Sequence, residues 1–470
     1  MDRQEQSRSP ANDNTWYLLA TLYGEQEAEQ KTIDGERNFK FDHSLWVQNR
    51  SAWNRWISTE LSAKQREILV ANGTDIRELT PFTEPERADF LNRFVARAGK
   101  AAELPEKRQS INLSNLIFDR PVSFSHYIFP SSCVCVGSKF CSLSDFSGAI
   151  FWEHFDCSKA SFMAWANFLD AKLNGVGSFW AASFSQSNFR RISISGDAYF
   201  HEANFVRADF HEAQFKRKAV FTGTRFSGFA DFGEVVFSKE ADFRNAEFDG
   251  YPDFRASEFN ELTRFVRAKF KAFVPDFRDA KLREATEWHD AEWPTLPKNC
   301  ETARDQISAY ERLKAEMERL KKHEDEQFFF AKELRIRRTL LHFKGSGKNR
   351  GIWERLGIWW FQWLPNFAYD FLSGYGLNIG RPLLVLLSIF VLCAVIFTLI
   401  PDTNSRQLEP TTAAALSATN LIGLLPFKPE KEVIEHLSVP TRIISDIQSV
   451  LGVVLLFLFG LGLRNRFRMR

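Results

Sequence analysis

Residues 219–254 read AVFTGTRFSGFADFGEVVFSKEADFRNAEFDGYPDF, and their phenylalanines, Phe229 aside, stand at 221, 226, 232, 237, 243, 248 and 254. The intervals alternate between five and six residues. An amphipathic helix repeats its apolar face at three and four, and a half-buried strand at two. Neither template fits. Summed, the two intervals make an eleven-residue unit that holds through Phe205, Phe210, Phe215, Phe221, Phe226, Phe232, Phe237, Phe243, Phe248, Phe254, Phe259, Phe265 and Phe270, with one five-residue slip before Phe210. The rhythm also runs upstream through Phe140, Phe146, Phe151, Cys157, Phe162, Phe168, Leu173, Phe179 and Phe184. It blurs between Phe189 and Phe200, where Ile194 takes the inward slot, and it slips by one residue before Phe277 and ends at Leu282.

A small residue stands two before many of these rings, as Ala203, Ala208, Ala213, Ala241 and Ala246 show. A ring that fills the axis of a narrow coil, with a small neighbour that lets the backbone turn, accounts for both signals. One coil cannot bury its rings alone; stacking on the next coil does so, at roughly 4.8 Å per step. All thirteen rings are therefore assigned to the core. Between 200 and 282 there are fourteen acidic and fourteen basic residues, so this surface is neither a basic groove nor an acidic mimic of a duplex. Nucleic acid is not an expected partner.

The stretch resembles the pentapeptide-repeat family, whose pattern places Leu or Phe at the centre of each five-residue unit and a small residue two before it. It matches the eleven-residue variant over roughly 111 to 283. The resemblance implies a mainly β fold, a right-handed quadrilateral β-helix with about four units per coil. On that ratio 140–282 makes six to seven coils. It implies no enzymatic activity.

The remaining chain divides by composition. Residues 1–110 carry no repeat and read as a mostly helical cap region ahead of the solenoid, which spans 111–293. In LWVQNRSAWNRWISTEL, from Leu45, the residues Trp46, Trp53 and Trp56 share a helical face, flanked by Asn49, Arg50, Asn54 and Arg55. Thr83, Pro85 and Glu86 make a helix start with a capping box. Trp288 and Trp293 carry a fading repeat. A charged segment, 300–343, predicts one or two helices, with Leu313, Met317 and Leu320 on one face and Glu318 and Lys322 as an i,i+4 pair. Phe328, Phe329 and Phe330 call for a partner surface, either the solenoid end or another subunit. An aromatic linker, 350–381, carries Trp353, Trp359, Trp360 and Trp363 and suits a membrane interface.

Residues 382–470 read as a two-span membrane domain with a loop at 401–440. Pro382–Ile400 holds, after the proline, eighteen uninterrupted residues without charge or strong polarity, just enough to cross a hydrocarbon core. The second span, 442–463, places Asp446 near one interface. Four arginines follow Leu463, and the loop holds three basic and five acidic residues. The positive-inside rule then puts both termini and the solenoid in the cytoplasm of what reads as a bacterial inner-membrane protein. The lipid bilayer is one partner; a protein partner and a homo-oligomer are the others. The N-terminus, MDRQEQSRSP, does not read as a signal peptide.

Two spans with such a loop resemble the pore module of potassium-type channels. In that likeness Thr411 to Leu421 correspond to the pore helix and Asn420 to Leu424 to the filter, so Thr419, Asn420, Leu421, Ile422 and Gly423 form a candidate pore loop. The family filter reads Thr-x-Gly-Tyr-Gly, and only Gly423 is kept. Leu424, Leu425 and Pro426 do not supply the second glycine of a filter built from stacked carbonyls. Cys133, Cys135 and Cys141 lack a second pair for a zinc site and read as free thiols in a reducing compartment. His154, His201 and His211 stand singly. No cofactor motif or nucleophile–base pair stands out, and the chain reads as a membrane-anchored scaffold or interaction module, with an oligomeric two-span channel as the alternative.

Overall fold

The computed structural model describes residues 8–27, 29–33, 36–40, 42–100, 102–345, 357, 359–400, 407–422 and 437–468. The chain divides into two compact units, Met1–Thr295 and Leu296–Arg470.

The first unit is a β-solenoid of about eight turns, made almost wholly of two-residue strands paired in parallel. One turn takes 22 residues where the five-six rhythm is regular, as in the registers Phe140↔Phe162 and Phe226↔Phe248. Four inward columns result. In the first, Phe118, Phe140, Phe162, Phe184, Phe205, Phe226, Phe248 and Phe270 lie face to face, with centroids 4.4 to 5.3 Å apart. That spacing is the rise of one β rung, so parallel pairing and ring stacking satisfy each other. Neighbouring columns meet edge-on, as Phe226 and Phe232 do at 5.5 Å and 82°. Phe205, Phe210, Phe215, Phe221, Phe226, Phe232, Phe237, Phe243, Phe248, Phe254, Phe259, Phe265 and Phe270 are each at most 1 % exposed. The alanines two residues before them, Ala203, Ala208, Ala213, Ala241 and Ala246, are fully buried.

The blurred stretch has a geometric cause. Phe184↔Phe205 and Phe205↔Phe226 are 21-residue steps, because the corner between the first and second columns is one residue shorter there. In those two turns the strand runs straight through the corner, as Ser183–Asn188 and Asn204–Asp209. Ile194 sits in the third column between Leu173 and Phe215. The rhythm does not end at Leu282. Phe277 stacks on Phe254 across the inserted residue, Trp288 stacks on Phe265 at 4.7 Å and 7°, and Trp293 lies 5.2 Å from Phe270. A wider indole closes the column where the coil stops.

Two corner devices, neither legible in the phenylalanines, alternate with this pattern. Two residues after each ring of the second and fourth columns the backbone turns through positive φ, from Asn115 to Asp290. Most of these positions are not glycine: His126, Lys159, Asp170, Ala181, Arg191 and Glu202 are examples. From His126 onward each such corner is closed by an N–H···O bond three residues back, such as Ala246 N–H to the Phe243 carbonyl at 3.1 Å, while at Asn115 the Ser138 hydroxyl stands between the Leu116 N–H and the Leu113 carbonyl. Just before many inward residues, an Asp or Asn accepts the N–H two residues on, as Asp145, Asp156 (ahead of Cys157), Asp209, Asp231, Asp242 and Asp253 do. These Asx turns bend the chain after the ring at small cost.

The N-terminal region closes the first turn. Helices α1 (Thr15–Ala20), α2 (His43–Ile57), α3 (Ala63–Ala71) and α4 (Glu84–Ala98) make up most of it, with a β-hairpin between α1 and α2, Glu29–Ile33 with Glu36–Lys40, which the helical expectation did not include. Ser9–Pro10 also adds a parallel rung to Leu116–Ile117. On α2, Trp53 is buried and its Nε1 donates to the Ile128 carbonyl at 2.9 Å; Trp46 donates to the Ser125 carbonyl at 3.3 Å. Asn54 does not flank that face at the surface. It is fully buried, donates to the His126 carbonyl and accepts the Ile128 N–H, replacing the missing rung above turn one. Thr83 and Glu86 form the capping box, and Pro85 lies in the first turn.

In the second unit, α5 (Cys300–Arg319) and α6 (His323–Gly345) form a helical hairpin that turns at Lys321 with positive φ. Glu318 and Lys322 stand on either side of this break rather than on one continuous helix, and Lys322 pairs with Asp325 at 2.8 Å. Of the three consecutive phenylalanines, Phe329 is fully buried in the hairpin, against Tyr310. A π-helical turn, Trp359–Trp363, leads into α7 (Leu364–Ser373). Trp353 lies outside the described residues.

Candidate functional site between the apolar helices

Among the described residues two helices are long and apolar enough to span a membrane: α8 (Gly380–Leu399) and α10 (Val439–Arg468). Pro382 is the third residue of α8 rather than the first, still within the turn whose N–H groups need no intrahelical acceptor. Many side chains of both helices face outward, including Leu384, Val391, Val453 and Phe457. Apolar faces of this kind, with backbone groups bonded internally, suit a lipid surround and support an integral-membrane location.

Between them lies α9 (Pro410–Leu421). Its first half packs through Ala413 and Leu416 against Cys393, Phe397 and Leu437. Its last residue, Leu421, packs against Leu386 and Leu455. It therefore runs antiparallel to α8 and reaches past that helix's midpoint. Gly452 makes the close approach to α10: a Cβ there would stand 2.8 Å from Leu421 Cα and carbonyl oxygen.

Polar groups join the three helices at this depth. The Ser417 hydroxyl donates to the Phe390 carbonyl at 2.9 Å. Gln448 Nε2 donates to Ser417 Oγ at 2.6 Å and to the Ser417 carbonyl at 3.2 Å, and Asn420 Nδ2 donates to Gln448 Oε1 at 3.1 Å. Ser417 and Gln448 are buried. A buried amide satisfied at both ends fixes rotation and depth together.

Of the candidate pore-loop residues, Thr419 bonds back to the Ala415 carbonyl, Asn420 belongs to the polar network, Leu421 is buried and Ile422 is half-buried. Gly423 lies outside the described residues. The helices bring Asn420 and Leu421 together with Gln448 and Gly452, two residues the loop reading did not single out. Their signal was faint: a single amide with a glycine four residues on, one of three glycines in that apolar stretch.

The other candidates are spread over the solenoid. Cys133, Cys135 and Cys157 are buried side by side in its core, and burial holds the Cys133 and Cys157 thiols well above their ordinary range. Among the described residues no group of three or more His, Cys, Asp or Glu could hold a metal ion. His154 Nδ1 accepts the Val176 N–H, His201 stacks on Trp180, and His211 faces Glu212 at 3.3 Å. A cleft of about 300 Å³ opens where α3 ends beside the first turns, lined by Arg50, Glu78, His126, Asp170 and Lys172. Its charges are largely spent: Arg50 pairs with Glu78, and Asp170 with Arg191. Burial, and then Arg50, push the His126 imidazole down.

Residues 210–258 match the family model described as pentapeptide repeats, in nine copies. The matched turns belong to the continuous stack of rings, so the first unit contains a pentapeptide-repeat β-solenoid domain. No curated protein and no solved structure matches the chain.

Proposed function

We propose that the protein is a non-enzymatic scaffold: a right-handed, quadrilateral pentapeptide-repeat solenoid of the eleven-residue kind, held at the cytoplasmic face of a bacterial inner membrane by α8 and α10. The observation that carries this reading is how the solenoid spends its residues. The inward rings are consumed by the core, and the outward charges pair from rung to rung: Arg225 with Asp249, Arg190 with Glu212, Lys269 with Glu247. A surface whose charge is matched locally is a rigid rod for protein contacts, not a cation groove for phosphates. The domain divisions at 110, 293, 343 and 381 belong to this reading, with 1–110 as the cap.

Protease digestion of oriented membrane vesicles tests it. Cleavage in the solenoid and at the C-terminus only when the cytoplasmic face is exposed supports the topology. Release of the intact chain by alkaline extraction defeats the membrane anchor.

A second reading, an oligomeric two-span channel, is favoured by one observation: α9 enters between the spans and is locked there by Gln448. Ion flux through reconstituted protein, altered by Leu421→Asp in a tetramer, would support it. A tight bilayer around a monomer would defeat it.

A further inference from the structure

One end of the helix pair combines two features that the anchor alone does not require. The turn after α7 lies against the C-terminal end of α10: a Cβ on Gly376 would stand 2.9 Å from Asn465 Nδ2, and one on Gly462 would stand 3.1 Å from Ile379 Cγ1. The start of α8 and the end of α10 therefore share one level. Arg381, Arg464 and Arg466 are exposed there, and among the described residues no carboxylate pairs with them. The nearby acid, Asp370, is taken by Arg335 at 3.1 Å and Arg338 at 3.0 Å.

The second feature is an aromatic ladder leading into that turn. Trp359, Trp363, Phe367 and Phe371 stack at four-residue intervals, with centroids 5.9, 5.1 and 6.0 Å apart and planes within 15°. Phe371 is 63 % exposed, and beside the ladder Phe361 is 83 % exposed. A stack of this length spans ~18 Å of helix. Its helix, α7, ends at Ser373, seven residues before Gly380 opens α8, whose Leu383, Leu384 and Leu387 are also exposed.

We propose that this end of the second unit is a seat for anionic phospholipid headgroups. The ladder lies in the interfacial layer, where aromatic rings partition, and the three guanidinium groups take the headgroup phosphates, for which their forked donors are suited. A dissolved anion would engage the arginines and leave the rings in water. A lipid satisfies both, because the rings and the exposed leucines of α8 meet its acyl region. The proposal rests on the integral-membrane reading and adds a lipid preference to it.

The test is electron paramagnetic resonance of the full chain in phosphatidylcholine bilayers doped with spin-labelled phosphatidylglycerol or spin-labelled phosphatidylcholine. The fraction of label immobilised at the protein gives a relative association constant. The expected preference for the anionic lipid is about fivefold or more, each membrane-facing arginine being worth about that factor. It should fall to within twofold of unity in R381Q/R464Q/R466Q, survive in R381K/R464K/R466K and shrink in molar salt. A wild-type ratio near unity, or an unchanged ratio in the glutamine variant, overturns the proposal while leaving the membrane anchor standing. Failure of the wild-type chain to enter the bilayer overturns both.

Discussion

The clearest quantitative test lies in the third inward column. Phe237 is fully buried, with Phe215 stacked at 5.2 Å on one side, Phe259 at 5.0 Å on the other, and Phe243 meeting it edge-on at 5.9 Å. The same column carries Ile194 and Leu173 two and three turns earlier, both fully buried. The fold thus already accepts an aliphatic side chain at this level. Phe237→Ala empties the slot between two fixed rungs that cannot collapse without breaking parallel pairing, so its cost is about 3–5 kcal/mol. Phe237→Leu keeps most of the volume and should cost less than about 1.5 kcal/mol. In a solenoid each turn contacts chiefly its neighbours, so the loss stays local. Hydrogen exchange of the full chain, read on peptides covering 226–259, reports it. Each 1.4 kcal/mol is tenfold, so the alanine variant should speed exchange there by roughly two to three and a half orders of magnitude, and the leucine variant by about tenfold at most. Exchange within threefold of wild type for Phe237→Ala, or equal acceleration in both variants, would refute the account of stacked rings as the source of stability.

Asn54→Ala removes the side chain that stands in for a missing rung and leaves the Ile128 N–H and His126 carbonyl unpaired; a loss of about 1–3 kcal/mol should appear as faster exchange at 126–130, with turns beyond 200 unchanged. Gly223→Ala pays only for a Cβ at positive φ, about 1–2 kcal/mol, whereas Gly148→Ala also drives a Cβ to 2.9 Å from the His126 ring, so its fall in melting temperature should be the larger. Gln448→Leu strands the Ser417 and Asn420 groups between the apolar helices and should lower the thermal stability of detergent-solubilised protein more than Ser449→Ala, since Ser449 bonds only to its own helix. The Arg55 hydrogen bond, with the Thr83 cap, holds the Glu86 carboxyl down to about 2. Its stabilising contribution is complete above its ordinary value near 4.5 and is lost as pH falls toward 2. A carbon-13 titration should show Arg55→Gln moving that carboxyl upward.

How much of this was legible follows from how local each cause is. The rings announce themselves because every fifth or sixth side chain meets the same environment, and a 21-residue turn leaves the columns intact while disturbing only the count. The left-handed corners do not announce themselves: Lys159, Ala181 and Glu202 have no composition in common, and positive φ is forced on them by the stack rather than chosen by the side chain. The pairing of Glu29–Ile33 with Glu36–Lys40 had a sequence signal in the Asp-Gly dipeptide at 34–35, but the helical signals around it outweigh so short a cue. Asn54 looked like one more polar residue beside three tryptophans, because nothing along the chain reveals that the first turn of the solenoid lies 72 residues away at hydrogen-bond distance.

By itself, then, the order of residues settled whatever repeats or runs: the coil, its inward columns, the capping box of α4 and the two apolar stretches. These depend on periodicity and on transfer from water, both properties of neighbouring residues. The tertiary structure decided what depends on partners distant in sequence. It set Asn54 over the open rung, broke α5 from α6 at Lys321, seated Phe329 against Tyr310, and drew Ser417, Asn420 and Gln448 into one network beside Gly452. A polar group or a glycine carries no label for its partner; the bond and the close contact exist only once packing has brought the two segments together.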